Sequence, residues 1–346
     1  MKLLRFLLFP FAILYDIITS IRNWFFDIGI LKSTSFNIPV IAVGNLSVGG
    51  TGKSPQIEYL IRLLKNDFKI ATLSRGYKRK TKGFQILKTN HTAADVGDEP
   101  LQFFKKFGKE IIVAVDADRT NGIQQLQKKD TPPEIVLLDD AYQHRKVKAS
   151  TYVLLTKYSD LFVDDFILPT GNLRESRRGS KRAQAIVVTK CPENLSKEEQ
   201  NKIKQRIKLR ENQQLFFTSI SYDEELKGKG IELTISDLKS KEVLLVTGIA
   251  NPASLLSYLS AEGIKYKHLK YPDHYEFTEN DILKIEKEFK GINNSNDKIL
   301  LTTEKDYMRL ENKLEDVSYI SIKSEFIPRN EEFNKFILNE IKKTKL

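Results

Sequence analysis

A glycine-rich segment of this chain has the residue types and the spacing of a phosphate-binding loop. It reads Ser47-Val48-Gly49-Gly50-Thr51-Gly52-Lys53-Ser54, after the apolar stretch 39–43 and before residues with helical spacing. Its glycines let successive backbone N–H groups face an anion, and the N-terminus of the following helix adds a partial positive charge. Lys53 is predicted to reach the β- and γ-phosphates of a nucleotide, and the Ser54 hydroxyl to bind Mg²⁺. Because Ser47 stands where the strict motif has glycine, the start of the loop needs support from elsewhere.

An acidic segment predicts a ligand for the same metal ion. Residues 135–140 read as an apolar strand that ends in Asp139 and Asp140. In phosphate-loop enzymes such a strand delivers a carboxylate to the Mg²⁺ beside the loop. Either aspartate fits this role on sequence grounds, and Asp139 is our first choice.

Two more polar segments lie beside predicted helices. Asp98 and Glu99 precede Pro100 at a helix start, where carboxylates either cap the helix or take part in catalysis. His274 lies on a loop between a strand and a helix, at the sheet edge where ligand sites concentrate. Catalytic and structural roles remain equal alternatives for the acids, and a single loop histidine is more often structural.

Several loops near the carboxyl ends of predicted strands carry arginine. These residues are Arg75, Arg119, Arg145 and Arg174. Guanidinium groups match phosphate geometry, so their convergence predicts a polyanionic ligand besides the nucleotide, although each could equally form a surface salt bridge. The segment 189–192 begins like a guanine-reading motif but has Pro192 in place of its aspartate, which favours ATP over GTP.

The elements around these residues predict an α/β fold. Short apolar segments alternate with helical stretches, which is typical of a parallel sheet covered on both faces. We expect a doubly wound, P-loop NTPase-like parallel sheet domain, a second and smaller α/β domain, and an N-terminal apolar membrane-associated helical segment. The predicted boundaries are 1–35 for the N-terminal helix region, 36–212 for the P-loop domain, 213–236 for connecting strands that could form a hairpin, and 237–346 for the second α/β domain.

Composition and charge restrict the function classes. The chain has 346 residues, a formal net charge of +11, four histidines and a single cysteine, Cys191. A disulfide framework is impossible within one chain and no zinc-site spacing is present, which indicates a reducing, cytosol-facing environment. The positive charge suits anionic partners such as a lipid surface, but no nucleic-acid-binding motif supports binding to DNA or RNA.

The first 31 residues predict contact with a membrane surface. Residues 6–15 are uncharged and almost wholly apolar, but a spanning helix needs about 20 apolar residues. Pro10, Asp16 and Arg22 interrupt the segment too early, and no signal-peptide cleavage pattern follows it. An interfacial helix is therefore expected, and docking on the protein's own core is the alternative.

Taken in order, these motifs resemble the tetraacyldisaccharide 4′-kinase family, the inner-membrane lipid A kinases of Gram-negative bacteria. One departure is visible, because Ala141 and Tyr142 stand where the family pattern has Gly-Phe. The matching segments are 43–55, Ser74-Arg75-Gly76-Tyr77, Gly97-Asp98-Glu99-Pro100, 138–145, 168–175, Pro272-Asp273-His274-Tyr275 and Thr303-Glu304-Lys305-Asp306.

The resemblance implies an ATP-dependent enzyme that phosphorylates the 4′-hydroxyl of a tetraacyldisaccharide 1-phosphate and forms lipid IVA. It implies a catalytic pair in which Asp98 accepts the hydroxyl proton and His274 orients or polarises the hydroxyl. Lys53 and Mg²⁺ are expected to stabilise the phosphates, with Ser54, Asp139 and Glu99 as Mg²⁺ ligands. The residues expected on the sugar-phosphate side are Asn45, Arg75, Tyr77, Arg119, Gln143, His144 and Arg174.

The expected location is the cytoplasmic face of the bacterial inner membrane, with a peripheral or monotopic attachment and a monomeric state. The main alternative is a phosphate-loop ATPase that acts as a mechanical or regulatory switch. Such a switch would hydrolyse ATP without lipid and under the control of a protein partner.

Overall fold

The fold of this protein is known here from a computed structural model, which describes residues 5–229, 232–292, 298–328 and 330–345. Within these residues, nine strands form one large sheet in the order β15-β8-β7-β6-β1-β5-β2-β4-β3. Their bounds are β1 Val40–Asn45, β2 Ile70–Ser74, β3 Gln85–Ile86, β4 Ile112–Val115, β5 Ile135–Asp139, β6 Thr151–Lys157, β7 Ala185–Thr189, β8 Gln214–Tyr222 and β15 Ile322–Ile327.

The centre of the large sheet is parallel and fully buried. β1 pairs with β5 on one side and with β6 on the other, and the register places Val43 opposite Asp139. Every residue of β1, β2 and β5 is buried. Apolar side chains therefore cover both faces, which explains why these strands read as continuous apolar runs.

A second, smaller sheet has the order β12-β11-β13-β14 and is parallel throughout. Its strands are β11 Glu242–Thr247, β12 Tyr266–Lys270, β13 Lys298–Thr303 and β14 Val317–Ile320. We call the two sheets with their helices the large-sheet unit and the small-sheet unit. The predicted α/β class with two sheets is confirmed.

Helices cover the sheets and connect their strands. One continuous apolar cluster joins the units, since it contains Ile41 and Leu60 of the large-sheet unit together with Leu244 and Phe277 of the small-sheet unit. The α-helices are Phe9–Asp27, Lys53–Leu64, Ala93–Val96, Asp98–Phe107, Arg119–Gln127, Lys197–Ile207, Ala253–Ala261, Glu279–Lys290, Glu304–Leu310 and Glu331–Lys345. The 3₁₀ turns are Phe6–Leu8, Phe162–Asp164, Arg177–Arg182 and Ser236–Ser240.

The predicted connecting hairpin is wrong. Its first strand is β8, which pairs with β7 and β15 in the large sheet. A two-stranded ribbon of β9 Glu225–Leu226 and β10 Leu233–Thr234 follows, and Gly230 and Ile231 lie outside the described residues. β8 joins the sheet because Phe216 and Phe217 belong to the apolar clusters on its two faces.

The end of the chain returns to the large-sheet unit. β15 pairs antiparallel with β8, and the helix Glu331–Lys345 packs beside it. The rings of Phe326 and Phe333 stack with centroids 4.2 Å apart, and Phe216 contacts Phe333 at 5.0 Å. β15 thus covers the edge that β8 would otherwise expose, so the segment predicted as one second domain contributes to both units.

The N-terminal helix lies against the large-sheet unit with its apolar face outward. Residues Phe6–Asp27 are long and apolar enough, with a mean hydropathy of 1.3, to cross a bilayer by length and composition. Phe11 is 63% exposed, whereas Ala12 is buried. Tyr15 donates a hydrogen bond to the Arg174 carbonyl (3.1 Å), and Arg22 donates to the Gln143 carbonyl (3.1 Å).

Candidate active site

The phosphate-loop segment connects β1 to the helix that begins at Lys53. Gly49 and Gly52 have φ angles of +101° and +83°, a region that favours glycine. The Val48 N–H donates to the Asn172 carbonyl at 2.8 Å, and Ser47 forms a β-bridge with Leu173. This bridge is the outside support that a loop beginning with serine requires.

Asp140 lies among cations at the end of β5. Its Oδ1 is 3.6 Å from Lys53 Nζ and 2.9 Å from Arg174 Nη2. Burial by itself would raise the pKa of Asp140, but the charges of Lys53 and Arg174 outweigh it and hold that pKa below its usual value. Asp140 is the turn residue after the strand, with φ +45°.

Asp139, in contrast, is buried with an open oxygen. Ser74 Oγ donates to its Oδ2 at 3.4 Å, but its Oδ1 has no hydrogen-bond partner among the described residues. Burial, and then the negative charges of Glu99 and Asp140, raise the pKa of Asp139 to about 7. A cation at this point would relieve both effects.

These oxygens suit Mg²⁺, which prefers oxygen ligands and takes one or two carboxylates together with substrate phosphates. The described part of the chain contains no cluster of three or more His, Cys, Asp or Glu that could hold a metal alone. The fit therefore depends on phosphate oxygens, and it favours Asp139 over Asp140 because Asp140 is already paired.

Asp98 and His274 meet across the two units. His274 Nδ1 lies 3.0 Å from Asp98 Oδ2, and Arg309 Nη2 donates to the same oxygen at 2.5 Å. Burial opposes ionisation of Asp98, but the hydrogen bonds from His274 and Arg309 outweigh it and lower its pKa to about 2. His274 has φ +54°, and its backbone N–H donates to the Gly248 carbonyl at 3.2 Å. The predicted pair is therefore present as a contact.

Two basic residues of this cluster were missed by sequence reasoning. Lys305 Nζ lies 2.7 Å from His274 Nε2, and Arg309 bonds Asp98. Both follow β13 on the helix Glu304–Leu310, one helical turn apart. That spacing after a strand was the available signal, but basic residues on a short helix are usually solvated.

A cavity of about 650 Å³ joins these parts. Most residues predicted for the sugar-phosphate side line it, but Asn45 does not, because it is buried and its Oδ1 accepts a hydrogen bond from Arg174. Asp98, Thr51, Gly52 and Ser54 also lie outside its lining. The predicted site residues that line it are Ser47, Val48, Gly49, Gly50, Lys53, Arg75, Tyr77, Glu99, Arg119, Asp139, Gln143, His144, Arg174 and His274.

Two of these lining residues are basic groups affected by burial, since Arg119 is buried and His144 is half-buried. Arg119 is buried, which lowers its pKa although the charges of Asp139 and Asp140 act in the opposite direction. Burial, followed by the charge of Arg119, lowers the pKa of His144 to about 4, so its ring is neutral at physiological pH. Arg119 Nε and His144 Nε2 are buried atoms without a hydrogen-bond partner among the described residues.

The N-terminal helix is connected to this site through Glu175. The buried Glu175 accepts hydrogen bonds from Asn23 of the helix (2.8 Å), Gln143 of the cavity (3.1 Å) and Arg182 (2.7 Å). Asn23 therefore contacts a carboxylate that also holds a cavity residue. The helix and the cavity share one polar network.

The departure at positions 141 and 142 is accommodated by the fold. The ring of Tyr142 is fully buried, and its hydroxyl donates to the Gly179 carbonyl at 2.8 Å. Arg182 lies over the ring at 4.6 Å. Gly44 is needed opposite, since a Cβ there would come within 2.7 Å of the Tyr142 Cβ.

The phosphate loop, the acids of β5 and the shared cavity place the chain in the class of P-loop phosphotransferases. A model of the family described as tetraacyldisaccharide-1-P 4′-kinase matches residues 4–342, and the chain belongs to this family. The resemblance seen in the sequence is thereby confirmed.

Named relatives and one solved structure agree with this assignment. The tetraacyldisaccharide 4′-kinase of Flavobacterium johnsoniae is 55% identical over 344 residues, covering 99% of this chain and 98% of the relative. The corresponding kinase of Bacteroides thetaiotaomicron is 44% identical over 314 residues, covering 88% and 82%. The crystal structure of LpxK from Aquifex aeolicus in complex with ATP matches with a TM-score of 0.76 and 32% identity, covering 98% and 99% of the two chains.

Proposed function

We propose that this protein is a tetraacyldisaccharide 4′-kinase. It transfers the γ-phosphate of ATP to the 4′-hydroxyl of a tetraacyldisaccharide 1-phosphate and forms lipid IVA in lipid A synthesis. Family membership over nearly the whole chain supports the reaction. The observation that carries the site is the cavity that Lys53 of the phosphate loop and His274 line together, with Asp98 bonded to His274.

The phosphate loop and Lys53 bind the triphosphate of ATP. Asp139 and Ser54, with Glu99 nearby, hold Mg²⁺, which neutralises charge on the β- and γ-phosphates when it is bound. Asp140 keeps Lys53 and Arg174 in place. Arg119, His144 and the exposed Arg75 line the part of the cavity available to the sugar and its phosphate.

Asp98 and His274 receive the 4′-hydroxyl. A carboxylate with a pKa of about 2 is anionic at physiological pH. Asp98 therefore accepts a hydrogen bond, either from the 4′-hydroxyl directly or from His274 when the histidine contacts the hydroxyl. A weak base is sufficient here, because phosphoryl transfer depends on positioning and charge stabilisation more than on an early proton transfer.

The N-terminal helix places the enzyme on a lipid surface. Its apolar side chains face outward, while Tyr15, Arg22 and Asn23 are hydrogen-bonded to the large-sheet unit. A helix that turned away from the large-sheet unit to cross the bilayer would lose these hydrogen bonds. The contacts therefore favour a helix that lies along the membrane surface. The cytoplasmic face of the inner membrane supplies both ATP and a lipid substrate, and a monomer suffices for the site.

One assay tests the reaction directly. Radiolabelled ATP is incubated with a detergent-dispersed disaccharide 1-phosphate, and the products are separated by chromatography, with Lys53→Met as the inactive control. We expect label in the lipid and slow hydrolysis without lipid. Rapid hydrolysis that ignores lipid, with no labelled product, would instead identify a switch ATPase.

A further inference from the structure

One short helix holds both members of the Asp98–His274 pair. Lys305 and Arg309 lie four positions apart on the helix Glu304–Leu310, so they project from the same face. Lys305 Nζ is 2.7 Å from His274 Nε2, and Arg309 Nη2 is 2.5 Å from Asp98 Oδ2. Lys305 also lines the cavity.

The hydrogen bonds around His274 determine where its proton lies. An ammonium group can only donate, so Nε2 must accept the bond from Lys305. An ionised carboxylate can only accept, so Nδ1 must donate to Asp98. Both partners therefore require a neutral ring with its proton on Nδ1.

Other charged groups near the ring do not replace Lys305. Arg309 is 3.4 Å from Nδ1 and lies on the Asp98 side of the ring, while Asp273 Oδ1 is 3.9 Å from Lys305 Nζ. The ring of Tyr77 contacts the imidazole edge to face at 5.4 Å. Among these groups, Lys305 is the one that engages Nε2.

We propose that Lys305 is a positioning residue that keeps His274 neutral, with the lone pair on Nε2. Without its ammonium, Nε2 can take a proton and form an imidazolium–carboxylate pair with Asp98. In that pair both ring nitrogens would be donors, so Nε2 could not accept a hydrogen bond from a substrate hydroxyl that takes the place of the Lys305 ammonium. This catalytic consequence rests on the proposed kinase function, whereas the state of the ring does not.

Nitrogen-15 NMR of histidine-labelled protein tests the state of the ring. The chain has only four histidines, so a His274→Gln spectrum assigns the signal. At about pH 7 we expect a neutral ring in the native protein and in Lys305→Arg, and an imidazolium in Lys305→Met. Lys265→Met, at an exposed position of the small-sheet unit, is the control and should match the native spectrum. Lys305→Leu, which likewise lacks a donor, serves the same purpose if the methionine variant does not fold.

Steady-state kinetics tests the effect of Lys305 on catalysis. Lys305→Met should lower kcat by about tenfold or more with little change in KM for ATP, and the loss should shrink as the pH rises. A neutral His274 in both Lys305→Met and Lys305→Leu would overturn the proposal, and so would a loss of kcat that is equal at all pH values. If the native enzyme has no kinase activity, only the proposed kinase function is rejected. The NMR spectra would still test the protonation state of His274, because they do not depend on turnover.

Discussion

Asp139 is a buried carboxylate whose ionised form is opposed by burial and by the neighbouring negative charges of Glu99 and Asp140. It is 2% exposed, and one of its oxygens has no partner among the described residues. Asp140 beside it is bonded to Arg174 and lies near Lys53. The two neighbouring acids therefore have opposite surroundings, because Asp140 is paired with cations and Asp139 has an unpartnered oxygen.

Replacing Asp139 should separate stability from activity. We expect Asp139→Asn to raise the free energy of unfolding of the nucleotide-free protein at pH 8 by about 1–3 kcal/mol, because burial and repulsion oppose the ionised form. Turnover should fall by about 10²-fold or more, because the proposed metal ligand is lost. Denaturant unfolding and the kinase assay measure both quantities.

The matched control is Asp140→Asn, which leaves Lys53 and Arg174 without their partner and should destabilise the fold. Equal destabilisation by both substitutions would contradict the distinction between the two acids.

The Asp98–His274 contact predicts that the two residues act together. Asp98→Ala and His274→Ala should each lower turnover by about 10²-fold or more, the usual effect of losing acid–base assistance. The double variant should be little worse than either single one, because residues that act as a unit are not additive. Steady-state kinetics of the three variants tests this, and a nearly native rate in any of them would exclude the pair from catalysis.

At the scale of residues, the sequence predicts what lies in local motifs. The phosphate loop, the β5 acids and the Asp98 segment are identifiable because their chemistry depends on neighbours along the chain. The segment 303–306 matches a family motif, but the roles of Lys305 and Arg309 are not predicted, because they arise from a helix of one unit packing against a helix of the other. Asp139 is preferred over Asp140 from the sequence, but the physical reason for that choice comes only from the positions of Lys53 and Arg174 beside Asp140.

At the scale of elements, a buried charge cluster connects three helices of the site. Lys106, from the helix that begins at Asp98, lies 2.8 Å from Glu58 of the phosphate-loop helix and 2.6 Å from Glu304, the residue before Lys305. Gln102 also donates to Glu58 at 2.8 Å. Burial, and then the charge of Glu58, raise the pKa of Glu304 to about 7.

This raised pKa makes stability depend on pH. The ordinary pKa of Glu304 is 4.5, so between that value and about 7 the folded protein holds a proton that the unfolded chain has lost. The stabilising contribution of this proton is complete below pH 4.5 and disappears as the pH rises through about 7. The free energy of unfolding should fall by up to about 1.4 kcal/mol per pH unit in this range.

Glu304→Gln should reduce that slope, and denaturant unfolding at several pH values measures it. Glu193→Gln, at an exposed loop position, should leave the slope unchanged. An unaltered slope in Glu304→Gln would show that other groups cause the pH dependence.

Central strands are the elements that the sequence predicts best. β1, β2, β5, β6 and β7 are continuous apolar runs because both of their faces are buried. The edge strand β3 has two half-buried residues, which give no such pattern. The pairing of β8 with β15 could not be predicted either, since β15 lies about a hundred residues further along the chain.

At the scale of the whole molecule, the outward face of the N-terminal helix should determine membrane binding. Leu14 and Ile18 are each 57% exposed and lie one helical turn apart. Replacing both with Glu should weaken binding to anionic phospholipid vesicles by about tenfold or more, because each buried apolar side chain contributes about 1.5–3 kcal/mol. Co-sedimentation at low and high salt measures the binding.

Leu283→Glu is the matched control, since Leu283 is 62% exposed on the small-sheet unit. It should bind vesicles like the native protein. Full vesicle binding by the Leu14→Glu, Ile18→Glu variant would show that the helix does not hold the enzyme on lipid.

The return of the chain to β8 has a consequence for biosynthesis. β15 and the helix Glu331–Lys345 are made after the other strands of the large sheet, so that sheet keeps an open edge until they emerge from the ribosome. The large-sheet unit is therefore assembled from segments that lie on both sides of the small-sheet unit in the sequence. Nascent chains stalled after Ser321 should be far more prone to aggregate than chains that already contain β15 and the helix after it, even though every residue of the phosphate loop has already been made.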